Sequence, residues 1–178
     1  MRLLISFALL MAVAFTGCKS QYGQKMNDPF SGNRYESNAR YFRAVGKAQS
    51  RDENIAVKKA RMEAKAELAS QMNTTIKELA DDYLSSTGYE NKSEITNKFQ
   101  SLTRMIVNTD ISDLRVMGEE KYYDGQQYTA FIAYEIKKNA MFRFLKKQAK
   151  SNAQLNESER KLIEKMIDEE LEKLESEG

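Results

Sequence analysis

Alanine recurs at every fourth position from residue 56, as Ala56, Ala60 and Ala64, and the spacing continues through Leu68, Met72 and Ile76 to Leu79 and Tyr83. Intervals of three and four place these side chains on one side of an α-helix. The stripe predicts a long helix from about Asp52 to about Leu84. Its alanines are small enough to let another backbone come close, and its later residues are bulky. The helix is therefore expected to lie tight on its neighbour at the start and further off at the end. Ser50-Arg51-Asp52-Glu53 precedes it, an S-x-x-E capping box, and Asp52 and Glu53 suit the positive end of the helix dipole. Asp81 and Asp82 are adjacent in sequence, so they do not face one another on a helix, and they read as solvated surface rather than a paired acid and base.

The partner for that small face is a strand. Arg40 to Ser50 sets Phe42, Ala44, Gly46 and Ala48 on one side at period two, and Gly46 would allow a helix to approach closely. Ile111 to Ile136 reads as a hairpin turning at Asp124-Gly125. A three-residue loop, Tyr123-Asp124-Gly125, would put Leu114, Val116, Gly118 and Tyr122 on the face of Tyr128, Ala130, Ile132, Tyr134 and Ile136, with Gly125 left-handed. Gly88 breaks the chain after the long helix. Ser93 can cap a second helix from Glu94 to about Asn108, with Ile95, Phe99, Leu102 and Ile106 inward.

Asn139 to Lys150 reads as a short basic helix with Met141, Phe144 and Leu145 inward. Glu157 to Glu175 is a strongly charged helix with Leu162, Ile163, Met166, Ile167, Leu171 and Leu174 on one side. It is too short for a stable isolated coiled coil, so docking on its own domain is expected. The fold class that results is α+β: a long helix packed on a small antiparallel sheet, with additional C-terminal helices. The α+β domain spans 40–150 and the charged C-terminal helix lies in 151–178.

The first residues have a different organisation. Arg2 precedes Leu3 to Phe15, which is apolar apart from Ser6, and Thr16 and Gly17 come next. Charge, a short apolar run and small residues are the order of an export signal, and about 20 apolar residues would be needed to span a bilayer. The run ends in Phe15-Thr16-Gly17-Cys18, and Cys18 is the only cysteine in the chain. This stretch resembles the lipobox of bacterial lipoproteins, with Phe15 where that family has leucine. The resemblance implies a signal peptide at 1–17, cleavage between Gly17 and Cys18, and lipidation of Cys18 by diacylglycerol and a further acyl chain such as palmitate. The thiolate is the nucleophile such chemistry requires. Residues 18–39 are polar, carry the only proline, Pro29, and read as a flexible tether.

Composition narrows the function. The chain has 178 residues, with 28 basic and 26 acidic. Loss of residues 1–17 removes only Arg2 from that balance, leaving the rest nearly neutral, which argues against a nucleic-acid surface. Histidine is absent, and with Cys18 committed to lipid, zinc sites and Ser-His or Cys-His nucleophile systems are excluded. No P-loop, glycine-rich phosphate cradle or repeat is present. No catalytic, cofactor-binding or metal-binding residue is therefore assigned.

Val45-Gly46-Lys47-Ala48 before a helix, the Ala56, Ala60, Ala64, Leu68 run, and the hairpin from Tyr122 to Ala130 together resemble the Lpp-twenty group of small outer-membrane lipoproteins. That group is similar to the N-terminal domain of the flagellar assembly protein FlgT. The resemblance covers residues 40–138 and implies an α+β domain in a lipid-anchored envelope protein with no catalytic residues. The expectation is a non-enzymatic cell-envelope component of the outer membrane, facing the periplasm, bound to the membrane through Cys18 and binding or scaffolding another envelope protein or peptidoglycan. The alternatives are a periplasmic carrier of a small apolar ligand held between the long helix and the sheet, or a glycan-acting enzyme using two carboxylates, one with its pKa raised.

Overall fold

The computed structural model describes residues 27–88, 91–105, 109–111 and 113–176. Three strands form one antiparallel sheet: β1 (Tyr41–Ser50), β2 (Arg115–Tyr123) and β3 (Tyr128–Lys137), in the order β1-β3-β2. The central strand β3 is buried from Ala130 to Tyr134 without a break, because both of its faces are covered. One face joins Phe42, Ala44, Gly46 and Ala48 of β1 to Ile136, Tyr134, Ile132 and Ala130 opposite them.

Helix α1 (Glu53–Ser86) lies on that face. Ala56, Ala60 and Ala64 are fully buried there, as are Leu68, Met72 and Ile76 further on. The approach is closest at Gly46, where an added Cβ would stand 2.0 Å from the Ala60 carbonyl oxygen and 2.5 Å from the Ala64 nitrogen. Strand and helix backbones touch, as the small stripe anticipates. Beyond Ile76 the buried line continues through Ala80 and Leu84, with Leu79 and Tyr83 only partly buried beside it. At 1.5 Å per residue α1 is about 50 Å long, against about 33 Å for a ten-residue strand. Its second half overhangs the sheet and is met by α2 (Lys92–Ser101) and α4 (Glu157–Ser176), while α3 (Lys138–Ser151) packs on α4 and the end of β3, and together they close one continuous core.

Several sequence expectations are corrected. Ser50 does not cap α1: it is still paired in the ladder opposite Tyr128, so the cap falls two residues later and Asp52 accepts from the Ile55 amide at 2.9 Å. Helix α2 begins at Lys92 behind Asn91 rather than behind Ser93, and ends at Ser101; Ile106 and Asn108 lie outside the described residues. The hairpin loop has four residues, Asp124 to Gln127, between the facing pair Tyr123 and Tyr128. The Asp124 carboxylate accepts from the Gln126 and Gln127 amides at 2.8 and 2.9 Å, which holds Asp124 out of the strand. Gly125 is left-handed as expected, at φ 94°.

The parity of β2 also differs from expectation. Tyr122 faces Thr129 and Gly118 faces Ala133, whereas Val116 faces Tyr134. A bulge at Met117 separates the two registers. Val116 thus lies on the helix side as expected, but Gly118 and Tyr122 lie on the opposite side with Phe131 and Ala133.

That opposite face is covered by residues expected to be tether. From Asp28 to Asn38 the chain crosses the sheet as a strap, with one 3-10 turn at Asn33–Tyr35. Asp28 pairs with Lys47 at 3.2 Å. The Phe30 ring lies over Gly118, where a Cβ would come within 2.4 Å of it. Ser37 accepts from the Arg43 amide at 2.8 Å, and Asn38 accepts from the Tyr41 amide at 2.9 Å. Arg43, paired to Glu135 at 2.7 Å, also donates to the Glu36 carbonyl.

The charged C-terminal helix docks on its own domain. Arg143 pairs with Glu175, Lys146 with Asp168 and Lys150 with Glu164, so α3 and α4 run antiparallel with basic against acidic side chains. Among the described residues no helix is long and apolar enough to cross a membrane.

Candidate functional site

Cys18 and the Gly17–Cys18 bond lie outside the described residues. The described residues show how the chain is arranged beyond them, and which chemistry their side chains can support.

Several carboxylates are committed to structure. At the start of α4, Asn156 accepts from the Glu159 amide at 2.9 Å while the Glu159 carboxylate accepts from the Asn156 amide at 3.0 Å. This is a reciprocal capping box, written in the sequence as N-x-x-E and not recognised there. Lys98 of α2 donates to the same carboxylate and so ties α2 to α4. The Lys98 bond, then the Asn156 amide, hold the Glu159 carboxyl below its ordinary range. Next to it, the Arg160 guanidinium donates to the carbonyls of Ala149, Asn152 and Leu155, where α3 ends. Asp124 is likewise held low, by the amides of Gln127 and Gln126. A glycosidase acid needs the reverse displacement; these two carboxyls are stabilised in the ionised form.

On the helix side of β2, Lys121 pairs with Glu53 at 2.7 Å and Arg61 with Glu119 at 3.0 Å. These acids sit against cations rather than against each other. Among the described residues no group of three or more aspartates and glutamates could hold a metal ion.

A ligand carrier would need a lined cavity between α1 and the sheet. Around Gly46 that space is filled by backbone contact. The clefts that do occur are open rather than enclosed, and most are polar or mixed; one of about 390 Å³ beside Ala48, Met62 and Ala66 is mainly apolar and opens to solvent. One of about 230 Å³ lies among Arg40, Tyr41, Lys137 and Lys138 with Leu174. A groove of about 400 Å³ runs between the end of α1 and α4, edged by Glu78, Asp82, Glu169 and Lys173.

The large apolar side chains left exposed are Ile55, Met62, Met105, Val116, Tyr122 and Tyr123, and the two tyrosines adjoin at one end of the sheet. Tyr122 and Tyr123 close β2 with half or more of their area exposed. Tyr122 meets Phe131 edge-on, and Tyr123 stacks on Tyr128 with centroids 4.6 Å apart. The Tyr122 hydroxyl donates to Glu120, which raises its pKa and keeps the phenol neutral. Lys47 sits over the Phe131 ring beside them.

Comparison with known families, curated proteins and solved structures finds no family model, no curated protein and no solved structure that matches this chain.

Proposed function

We propose that this chain is a non-enzymatic, lipid-anchored protein of the bacterial cell envelope, held in the outer membrane by diacylglycerol on Cys18 and facing the periplasm, where it binds or scaffolds another envelope component. The observation that carries this reading is the ordered run at the N-terminus: one cation, a short apolar stretch, small residues, and then the sole cysteine. The resemblance to lipoproteins extends to sorting. In that class an aspartate after the cysteine favours retention in the inner membrane, and here the residue is Lys19. No acid occurs before Asp28, so the acidic cluster that sends some lipoproteins to the cell surface is missing.

The described domain is compatible with a scaffold. Its core is closed, several of its acids, among them Glu119, Glu135 and Glu159, are engaged by cations or amides, and its two C-terminal helices are paired by charge. Two or more acyl chains would anchor it durably, since each buried CH₂ contributes about 0.8 kcal/mol.

The test is mass spectrometry of the N-terminal peptide from a bacterial host. The expected species begins at Cys18 and carries acyl chains; Cys18→Ser should leave an uncut precursor without diacylglycerol. A cleaved chain with an unmodified Cys18 would overturn the reading. Crosslinking in intact cells identifies the partner, and protease added to cells with an intact outer membrane should leave the domain undigested.

A further inference from the structure

The exposed aromatic surface and the arrival of the chain from residue 18 lie at the same end of the sheet. The strap first docks at Asp28, through Lys47. Lys47 stands opposite Phe131, and Phe131 opposite Glu120. The next rung on that face is Gln49, Thr129 and Tyr122, about 7 Å further along the strands. Tyr122 is 50% exposed and Tyr123, beside it, 59%. Ile55 adds to this end: it lies in the first turn of α1, 47% exposed, two residues after the Glu53 that pairs with Lys121.

Covalent geometry limits how far this end can be from Cys18. Ten residue steps separate Cys18 from Asp28, and ten residues span at most about 35 Å when fully extended. The far end of α1 lies about 50 Å from its start. The hairpin end adjoins the point where this connection docks and is well within its reach, whereas the far end of α1 is beyond it.

We propose that the hairpin end, formed by Tyr122, Tyr123 and Ile55, is a contact surface for the lipid bilayer that carries residue 18. This rests on the reading of Cys18 as lipid-bearing. The chemistry of the surface suits that occupant. Tyrosine has an apolar ring and a polar tip, the combination that settles at headgroup level. The ammonium groups of Lys47 and Lys121, each half-exposed, stand where lipid phosphates would be. The contact would set the orientation of the domain, with the overhanging half of α1 and its helices directed away from the membrane.

The chain contains no tryptophan, so one introduced indole is an unambiguous reporter. The full lipidated protein is reconstituted in vesicles of phosphatidylethanolamine and phosphatidylglycerol with brominated acyl chains. Separate Tyr123→Trp and Tyr122→Trp variants report the hairpin end, and Tyr83→Trp reports the far end of α1. Loss of most of the fluorescence at 122 or 123, with none lost at 83, is expected. Equal loss at both ends, or no loss at 122 and 123 in protein that floats with the vesicles, would overturn the proposal. A blue shift at 123 without quenching would place the surface against protein and overturn it also. Mass spectrometry on the same sample separates this from failure of the underlying reading: a chain without acyl groups overturns both.

Discussion

At Gly46 a strand backbone and a helix backbone are in contact, with the Ala60 carbonyl oxygen 2.0 Å from where a Cβ would stand. Neither of the two nearest atoms belongs to a flexible side chain, so Gly46→Ala must push α1 off the sheet. Overpacking of a core costs about 1–3 kcal/mol and at times more; with backbone on both sides the upper end is expected, read as a lower midpoint in urea or heat. A melt unchanged from wild type would show that α1 can ride upward freely. Gly125 depends on conformation instead. Its surroundings are open, yet its φ of 94° is one that β-branched residues resist. Gly125→Val should cost about 1–2 kcal/mol, whereas Gly125→Asn should be milder. Equal effects of Val and Asn would show that the loop changes its turn type. Both glycines are legible in the sequence, because each answers a local question: which residue fits beneath an alanine stripe, and which can succeed aspartate in a tight turn.

At the scale of elements, the long helix and its stripe are legible because period 3.6 holds for more than twenty residues. The register of β2 is not. After Met117 the run Glu119-Glu120-Lys121 followed by Tyr122-Tyr123 has no alternation to fix its parity, and the bulge at Met117 lets each half take a different one. The capping box of α4 can be read in Asn156-Glu157-Ser158-Glu159, but not the reach of Lys98 to it from another helix. That contact makes a prediction about pH. The folded-state pKa of Glu159 is depressed, first by Lys98 and then by the Asn156 amide. Its contribution to stability is therefore fully present above the ordinary carboxylate range and is lost as pH falls through the folded value. Lys98 is displaced upward, chiefly by Glu159, so its share persists at low pH as far as its partner stays ionised and is lost only as strongly alkaline pH passes the raised value. Glu159→Gln should lower the unfolding midpoint at neutral pH and flatten its decline in acid. An acid limb as steep in the variant as in wild type would assign that limb to other carboxyls.

For the whole molecule, the strap is the feature least legible in sequence. It lies across the strands rather than along them, so it has no period, and Asn, Ser, Gly and Pro give it the composition of a linker. Its role is set by β3, which is buried on both faces although only one is covered by α1. Phe131 and Ala133 owe their burial to the second face, and the strap seats Phe30 on that face over Gly118. Phe30 has φ 60°, an uncommon conformation for a bulky residue, held only while the ring is seated. A chain beginning at residue 27 should then unfold cooperatively with the stability of the longer protein. A chain beginning at Arg40 should expose Phe131 and Ala133, bind the dye anilinonaphthalene sulfonate, and lose about 2–4 kcal/mol for an uncovered aromatic and its neighbours. Phe30→Ala in the longer chain should fall between the two, since it removes the ring but leaves Ser37 and Asn38 bonded to β1. Charge can be separated from apolar cover with Asp28→Asn, which breaks only an exposed ion pair and should shift stability by less than about 1 kcal/mol. If truncation to Arg40 left both the melt and dye binding as they are in the longer chain, the second face would be stable in water without the strap. The burial of Phe131 would then have to come from the sheet alone.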